Sequence, residues 1–141
     1  MTELALTIRQ PWAHFIFDLP RDLRKDVENR SWPTKVRGRV WLHAAKGMTC
    51  EEYDSARDFA IQEVGVPAIE IAHANELPKG VILGSARILD CITESSSGWF
   101  VGEYGFMLMD PIKLKKPVPC AGALGFWRVP TDVLARLGEA S

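Results

Sequence analysis

Glu28, Arg30 and Lys46 are the polar residues whose types and positions are best suited to acid–base chemistry. Glu28 and Arg30 are two residues apart in a stretch of extended character, so their side chains share one face. Lys46 follows an apolar segment, where a partly dry environment makes a lysine a good clamp for phosphate or carbonyl oxygens. With Glu28 nearby, Lys46 could cleave an RNA phosphodiester by acid–base catalysis without a metal. The alternative is that Glu28 and Arg30 form a structural salt bridge.

His43 and the three cysteines are weaker candidates. His43 lies three residues before Lys46, so in a regular strand the two side chains face opposite sides, and His43 is predicted to be a hydrogen-bonded core residue. Cys50, Cys91 and Cys120 are far apart in the chain, with no CxxC pair. This spacing indicates reduced thiols rather than a disulfide framework or a zinc site, and we expect no metal and no cofactor.

Basic residues are distributed unevenly along a chain whose formal net charge is −1. Between Arg21 and Lys46 there are eight basic residues against three acidic ones. A second basic cluster contains Lys113, Lys115, Lys116 and Arg128. If the two clusters meet in space, they form a positive face that binds phosphates in a salt-dependent way. The alternative for each individual lysine is an ordinary solvated surface.

The five tryptophans could offer stacking surfaces for nucleobases. Trp32 lies between Ser31 and Pro33 and is the best candidate for a ring that faces a cleft. Trp41 and Trp127 lie within apolar strands and are predicted to belong to the core. Trp12 is predicted to be the buried anchor of the first helix, and Trp99 to lie in an exposed loop.

The apolar pattern predicts an α+β fold. Strands are predicted over residues 4–8, 27–32, 38–45, 80–92, 104–109, 114–119 and 125–129. Helices are predicted over residues 11–17, from 50 to about 64, and over 131–137, with a capping box formed by Thr49 and Glu52. Because strands and helices do not alternate regularly, a small mixed β-barrel of five to seven strands with flanking helices is favoured over a doubly wound sheet.

Length and composition set the remaining bounds. A chain of 141 residues fits one domain, predicted over residues 1–141. The first ten residues lack the pattern of a signal peptide, and no apolar stretch is long enough to span a membrane. We therefore expect a cytoplasmic, monomeric protein that does not interact with membranes.

Several strings in order along the chain resemble the ASCH domain family. They are Leu6–Ala13 (LTIRQPWA), Lys25–Trp32 (KDVENRSW), Gly38–Lys46 (GRVWLHAAK), Gly84–Cys91 (GSARILDC) and Gly122–Trp127 (GALGFW). The resemblance implies a PUA-like β-barrel with a cleft that binds RNA or another nucleic acid. Small family members that deacetylate N4-acetylcytidine read Lys-x-x-Thr before the arginine. Here Glu28 replaces that threonine, which argues against a threonine-dependent deacetylase.

Three functional hypotheses remain open at the level of sequence. The first is a module that binds RNA or a nucleotide in a positively charged cleft, with the binding residues Gln10, Lys25, Arg30, Trp32, Lys35, Arg37, Arg39 and Tyr104. The second is a ribonuclease or modified-nucleoside hydrolase that uses Lys46 and Glu28 in the same cleft. The third is a protein-interaction module that uses the Trp99 loop.

Overall fold

The computed structural model describes residues 3–141, which form six strands and three α-helices. The strands are β1 (Leu4–Ile8), β2 (Val27–Arg30), β3 (Gly38–Ala44), β4 (Val81–Ile92), β5 (Tyr104–Pro119) and β6 (Phe126–Arg128). The helices are α1 (Trp12–Phe17), α2 (Cys50–Phe59) and α3 (Thr131–Ala140). A π-helical turn at Ala60–Val64 extends α2.

All six strands belong to one mixed sheet in the order β2-β5-β4-β3-β1-β6. The neighbours β1 and β3 are parallel, with Thr7 opposite His43, and every other pair is antiparallel. The predicted α+β class and strand count are confirmed. Because β1 and β3 are parallel, the segments that follow them leave the sheet at the same end.

The sheet curls until its two edges face each other through aromatic side chains. Trp32, just beyond β2 at one edge, packs on Phe126 of β6 at the other, with ring centroids 6.0 Å apart. Phe106 of β5 stacks on the Phe126 ring, with the two centroids 6.0 Å apart. The described strands therefore form a half-barrel that is closed by side-chain packing rather than by a continuous hydrogen-bond ladder.

The strands predicted over residues 104–109 and 114–119 are one strand, so the predicted break at Asp110-Pro111 is wrong. β5 continues through it beside β4, and the pairing shifts register between Ser85 and Arg87. Gly84 allows this close approach, because a Cβ there would lie 2.2 Å from the carbonyl oxygen of Ile112. Register shifts of this kind bend a strand and help a sheet to curl.

The helices cover the two faces of this sheet. Glu52 and Thr49 form the predicted capping box at the start of α2. Trp99 is only 3% exposed and packs with Phe15 and Ala56 in a cluster beneath α2. The predicted exposed Trp99 loop is therefore wrong, because the indole ring fills a core between the helices and its Nε1 donates to the carbonyl oxygen of Leu23.

Across residues 3–141, no helix combines the length and the hydropathy that a membrane span requires.

Candidate functional site

A cleft of about 1250 Å³ opens where β1 and β3 end. The parallel pairing of these strands places Arg9 and Lys46, which follow them, along the same cleft. β2 and the residues after it form a second wall, and the loop between β5 and β6 (residues 120–125, the wall loop) forms a third. The cleft is thus built from segments that are distant in the sequence.

A buried group of three charged residues supports the β2 wall. Glu28 is 7% exposed and Lys25 is 3% exposed. One Glu28 carboxylate oxygen accepts from Lys25 Nζ at 3.0 Å, and the other accepts from Arg30 Nε at 3.0 Å. Lys25 also donates to the carbonyl oxygen of Val27. Both carboxylate oxygens of Glu28 are therefore occupied, and its role in this structure is to orient two cations.

Arg30 is held so that one of its nitrogens remains available to the cleft. Besides Nε, its Nη2 donates to the backbone oxygen of Thr7 at 2.8 Å. Among residues 3–141, no group accepts a hydrogen bond from Nη1. The guanidinium carbon also lies 5.7 Å from the centroid of the Trp32 ring. A fixed guanidinium beside an indole ring is suited to binding an oxygen-rich, planar or anionic ligand.

A chain of hydrogen bonds with one fixed direction lies at the inner end of the cleft. Trp127 Nε1 can only donate, and it binds Thr7 Oγ1 at 2.9 Å. His43 Nε2 lies 2.9 Å from the carbonyl oxygen of Cys120, which can only accept. His43 Nδ1 is thus left to accept from the Thr7 hydroxyl at 3.4 Å. Burial lowers the pKa of His43 despite the opposing effect of that carbonyl, so the imidazole is neutral at pH 7.

Gly122 lets the wall loop pass directly over His43 and Thr7. A Cβ at Gly122 would lie 2.6 Å from the His43 ring and 2.9 Å from Thr7 Oγ1, closer than packed atoms tolerate. The backbone N–H groups of Ala121–Ala123 donate to no backbone carbonyl of the described chain. These N–H groups remain available to a ligand in the cleft.

The charge of the cleft is predominantly positive. Its lining includes Arg9, Arg30, Lys46 and Lys79, against the single carboxylate of Glu28. Lys46 and Lys79 are exposed, and neither makes an ion pair with any residue from 3 to 141. Arg9 differs, because Glu52 binds its Nε at 2.5 Å. Arg9 in turn holds the pKa of Glu52 at about 2.

The structure brings four of the predicted site residues together. Glu28, Arg30, Trp32 and Lys46 all line the cleft. Gln10 does not, because its buried amide donates to the carbonyl oxygen of Pro78 and accepts from the N–H of His14. Lys25 is not in the lining either, and it supports the cleft from behind through Glu28 and the ring of Trp12, whose centroid lies 5.8 Å from Lys25 Nζ.

Four other predicted binding residues, Tyr104, Lys35, Arg37 and Arg39, are not part of the cleft lining. Tyr104 pairs with Arg30 in the sheet. Arg37, just before β3, and Arg39, within it, are exposed, and we name them the outer arginines. Arg37 contacts Asp90 at 3.4 Å, and Arg39 donates to Ser85 at 2.9 Å.

Trp12 and His43 both line the cleft, which was not expected of either residue. Trp12 packs on Phe15 and Phe59 and against the neighbouring core clusters, but it is only partly buried. His43 is the buried, hydrogen-bonded residue that was predicted. The prediction that it faces away from Lys46 is wrong, because a bulge at Leu42/His43 and the end of β3 at Ala44 break the regular alternation.

Several cleft residues were not predicted from the sequence, namely Thr7, Arg9, Asn29, Lys79 and those of the wall loop. The parallel pairing of β1 with β3 places Thr7 and Arg9 in the cleft, and no local pattern reports such pairing. The string Cys120-Ala121-Gly122-Ala123 was the available signal for the wall loop, since small residues permit close approach of the backbone to a ligand.

The residues of the cleft do not suit a metal. Within residues 3–141, no group of three histidine, cysteine or acidic side chains is placed to hold an ion. Burial raises the pKa of the Cys120 thiol, which keeps it protonated at neutral pH and weak as a nucleophile.

A curled mixed sheet with flanking helices and a basic cleft across one end is consistent with the class of PUA-like barrels. The sequence profile of the ASCH domain matches residues 6–117, most of the chain. The chain belongs to the ASCH domain family.

Solved structures agree with this assignment. The crystal structure of ASCH from Zymomonas mobilis superposes with a TM-score of 0.57 at 12% identity, covering 98% of this chain and 94% of that chain. A single-substitution variant of the same protein gives 0.57 at 13% identity, covering 99% and 98%. At these identities the likeness establishes the fold alone.

Two curated relatives are activating signal cointegrator 1 from Mus musculus and from Homo sapiens. Each is 26% identical over 140 residues, which cover 91% of this chain but 22% of the relative. The chain thus spans about a fifth of the length of these curated relatives.

Proposed function

We propose that the cleft binds single-stranded RNA through one unstacked nucleotide. The observation that carries the proposal is the composition of the cleft lining, in which four cations and two tryptophan rings surround a single carboxylate that is already paired. Proteins that bind single strands combine a positive groove for the backbone with aromatic rings for the bases. An ASCH relationship supports an RNA-related role for the same surface.

Each part of the cleft has a role in this proposal. Lys46 and Lys79 attract phosphate as mobile point charges. The Trp32 ring, of intermediate burial, provides a stacking surface worth about 1–3 kcal/mol per base. Arg30 Nη1 donates to an oxygen of the base or the sugar, and its neighbour Glu28 keeps it in place.

Catalysis by Lys46 and Glu28 is less well supported by the geometry. The Glu28 carboxylate is almost fully buried and accepts hydrogen bonds from Lys25 and Arg30, so it is placed to hold these two cations rather than to reach a substrate. Binding requires only the exposed lysines, the ring of Trp32 and the free donor of Arg30.

Fluorescence anisotropy with a labelled mixed-sequence RNA of eight nucleotides, in EDTA, tests the proposal. Replacing both Lys46 and Lys79 with alanine is expected to weaken binding about tenfold or more near 0.1 M salt, and to lower the salt slope by about 1.4. The charge-preserving double change to arginine is the matched control and should retain the slope. Absence of binding by the wild-type protein would overturn the proposal.

The same samples, run on a denaturing gel, test the catalytic alternative. Intact RNA after incubation is the expected result. Cleavage by the wild-type protein that is lost in Lys46→Ala would make the cleft a metal-independent ribonuclease site instead.

A further inference from the structure

A second basic groove adjoins the cleft. The end of β5 and the exposed side of α3 enclose about 400 Å³, and we name this space the shoulder groove. Its lining includes Lys115, Lys116, Pro119, Arg136 and Glu139. The second basic cluster of the sequence, which the cleft itself does not use, thus contributes two lysines to this groove.

Pro119 joins the two spaces, because it lines both the cleft and the shoulder groove. Arg136 Nη1 donates to the Pro119 carbonyl oxygen at 3.0 Å, which fixes α3 against this boundary. The next residue, Cys120, carries the carbonyl that His43 binds at the inner end of the cleft. The groove and the cleft are therefore neighbours across one residue of the chain.

The charges of the shoulder groove are available to a ligand. Lys115 and Lys116 are exposed, and within the described part of the chain neither forms an ion pair. Arg136 has only a distant acidic partner, Asp132, at 3.9 Å, and Glu139 is the one carboxylate in the lining. By contrast Lys113, two residues before Lys115, is neutralised by Asp18 at 2.5 Å.

We propose that the shoulder groove binds the phosphate backbone of the strand whose unstacked nucleotide occupies the cleft. The ligand is then an oligonucleotide, and a free nucleotide fills only part of the site. This inference rests on the proposed function of the cleft. Successive positive grooves separated by one proline allow a flexible single strand to follow the surface, whereas a base paired in a duplex could not enter the cleft.

The experiment compares ligands of different length in the same anisotropy assay. A labelled single-stranded RNA of eight nucleotides is bound directly, and a nucleoside monophosphate competes for the cleft. For the double variant Lys115→Ala/Lys116→Ala, the affinity for the oligonucleotide is expected to fall about tenfold near 0.1 M salt, and the salt slope to fall by about 1.4. The affinity for the monophosphate should not change.

Two control variants distinguish an effect of the shoulder groove from an effect of the protein's net charge. Lys115→Arg/Lys116→Arg keeps the charge and should bind as the wild type does. Lys35→Ala/Arg87→Ala removes the same charge from positions outside both spaces and should change the affinity less than twofold.

The outcomes distinguish this inference from the proposed function. Oligonucleotide binding that is unchanged in Lys115→Ala/Lys116→Ala overturns the shoulder groove but leaves the cleft standing. Failure of the wild-type protein to bind both ligands overturns both. A poly-glutamate peptide that binds the groove as tightly as the oligonucleotide would assign it to an acidic protein partner and overturn the inference.

Discussion

The cleft and the outer side of β3 both carry arginines, but they use the charge differently. In the cleft, Arg30 is four-fifths buried, and Glu28 and a backbone carbonyl hold it so that one nitrogen remains unbonded. On the outer side, both arginines are exposed. Arg37 binds the carbonyl oxygen of Val36 and the carboxylate of Asp90, and Arg39 binds the hydroxyl of Ser85. The positive charge of a sequence window therefore does not define a binding surface. What distinguishes the cleft is that its free donor belongs to a fixed, largely buried guanidinium that lies beside an indole ring and lines a cavity.

The buried carboxylate of the cleft gives the largest expected effect. Glu28→Ala leaves Lys25 buried and charged without its partner, and this change is expected to destabilise the protein by about 3–5 kcal/mol. On the outer side, Asp90→Ala should cost less than about 1 kcal/mol, because the Arg37–Asp90 pair is about half exposed. Urea unfolding of both variants measures the difference. Equal destabilisation would contradict the distinction between the two regions.

The wall loop gives the next largest effect. Gly122→Ala places a methyl group against the buried His43 ring, so the loop must move or the strain must be absorbed, at a cost of about 1–3 kcal/mol. RNA affinity is expected to fall about tenfold with it, because the wall of the cleft is displaced.

Gly138→Ala is the matched control, since no atom lies within 4 Å of its new methyl group and it is in a helix. It should leave RNA binding unchanged. If Gly122→Ala binds RNA as tightly as this control, the wall loop is not part of the interface.

Among residues 3–141, Arg9 is the one cation of the cleft lining that is paired with a partly exposed carboxylate, and removing the charge of Glu52 should free it. Glu52→Gln preserves the capping box, because glutamine also serves at that position, but removes the charge that holds Arg9. RNA affinity is therefore expected to rise a few-fold at low salt. Loss of affinity would contradict the account of Arg9 as a cation masked by Glu52.

The same variant has a defined pH signature. Because Arg9 holds the pKa of Glu52 at about 2, below its ordinary value of 4.5, this pair stabilises the folded protein above pH 4.5. The contribution is lost as the pH falls toward 2. Between these pH values, the stability of Glu52→Gln should fall less steeply than that of the wild type.

The smallest effect is expected for the outer arginines. Arg37→Ala/Arg39→Ala removes two positive charges, but both side chains already have partners outside the cleft, so RNA affinity should change less than twofold. A tenfold loss in this variant would move the interface to the outer side of β3 and reverse the comparison.

Most of the fold was accessible from the sequence because it depends on local patterns. The short apolar run at Leu4–Ile8 and the capping box of Thr49 and Glu52 each act within a few residues. The merging of two predicted strands into β5 was missed, because Asp110-Pro111 has the composition of a turn. There Asp110 adopts a positive φ of 51° and the strand continues beyond it.

Only part of the cleft could be predicted from the sequence. Strand alternation placed Glu28 and Arg30 on one face, and the strings that carry the family resemblance also contain Trp32 and Lys46. Thr7 and Arg9 were missed because only long-range pairing brings them beside Lys46. Lys25 and Gln10 have the residue types of ligand-binding groups, but burial uses their hydrogen bonds within the protein, and sequence alone does not report that burial.

The most direct test of the central claim is a map of amide and indole NMR signals during titration with a single-stranded RNA of eight nucleotides. We predict that the largest shifts occur at Ala121–Ala123 and at the Trp32 indole, with signals of the outer arginines nearly unchanged. Shifts concentrated around Arg37 and Arg39, with the wall loop unaffected, would contradict the assignment of the cleft as the nucleic-acid interface.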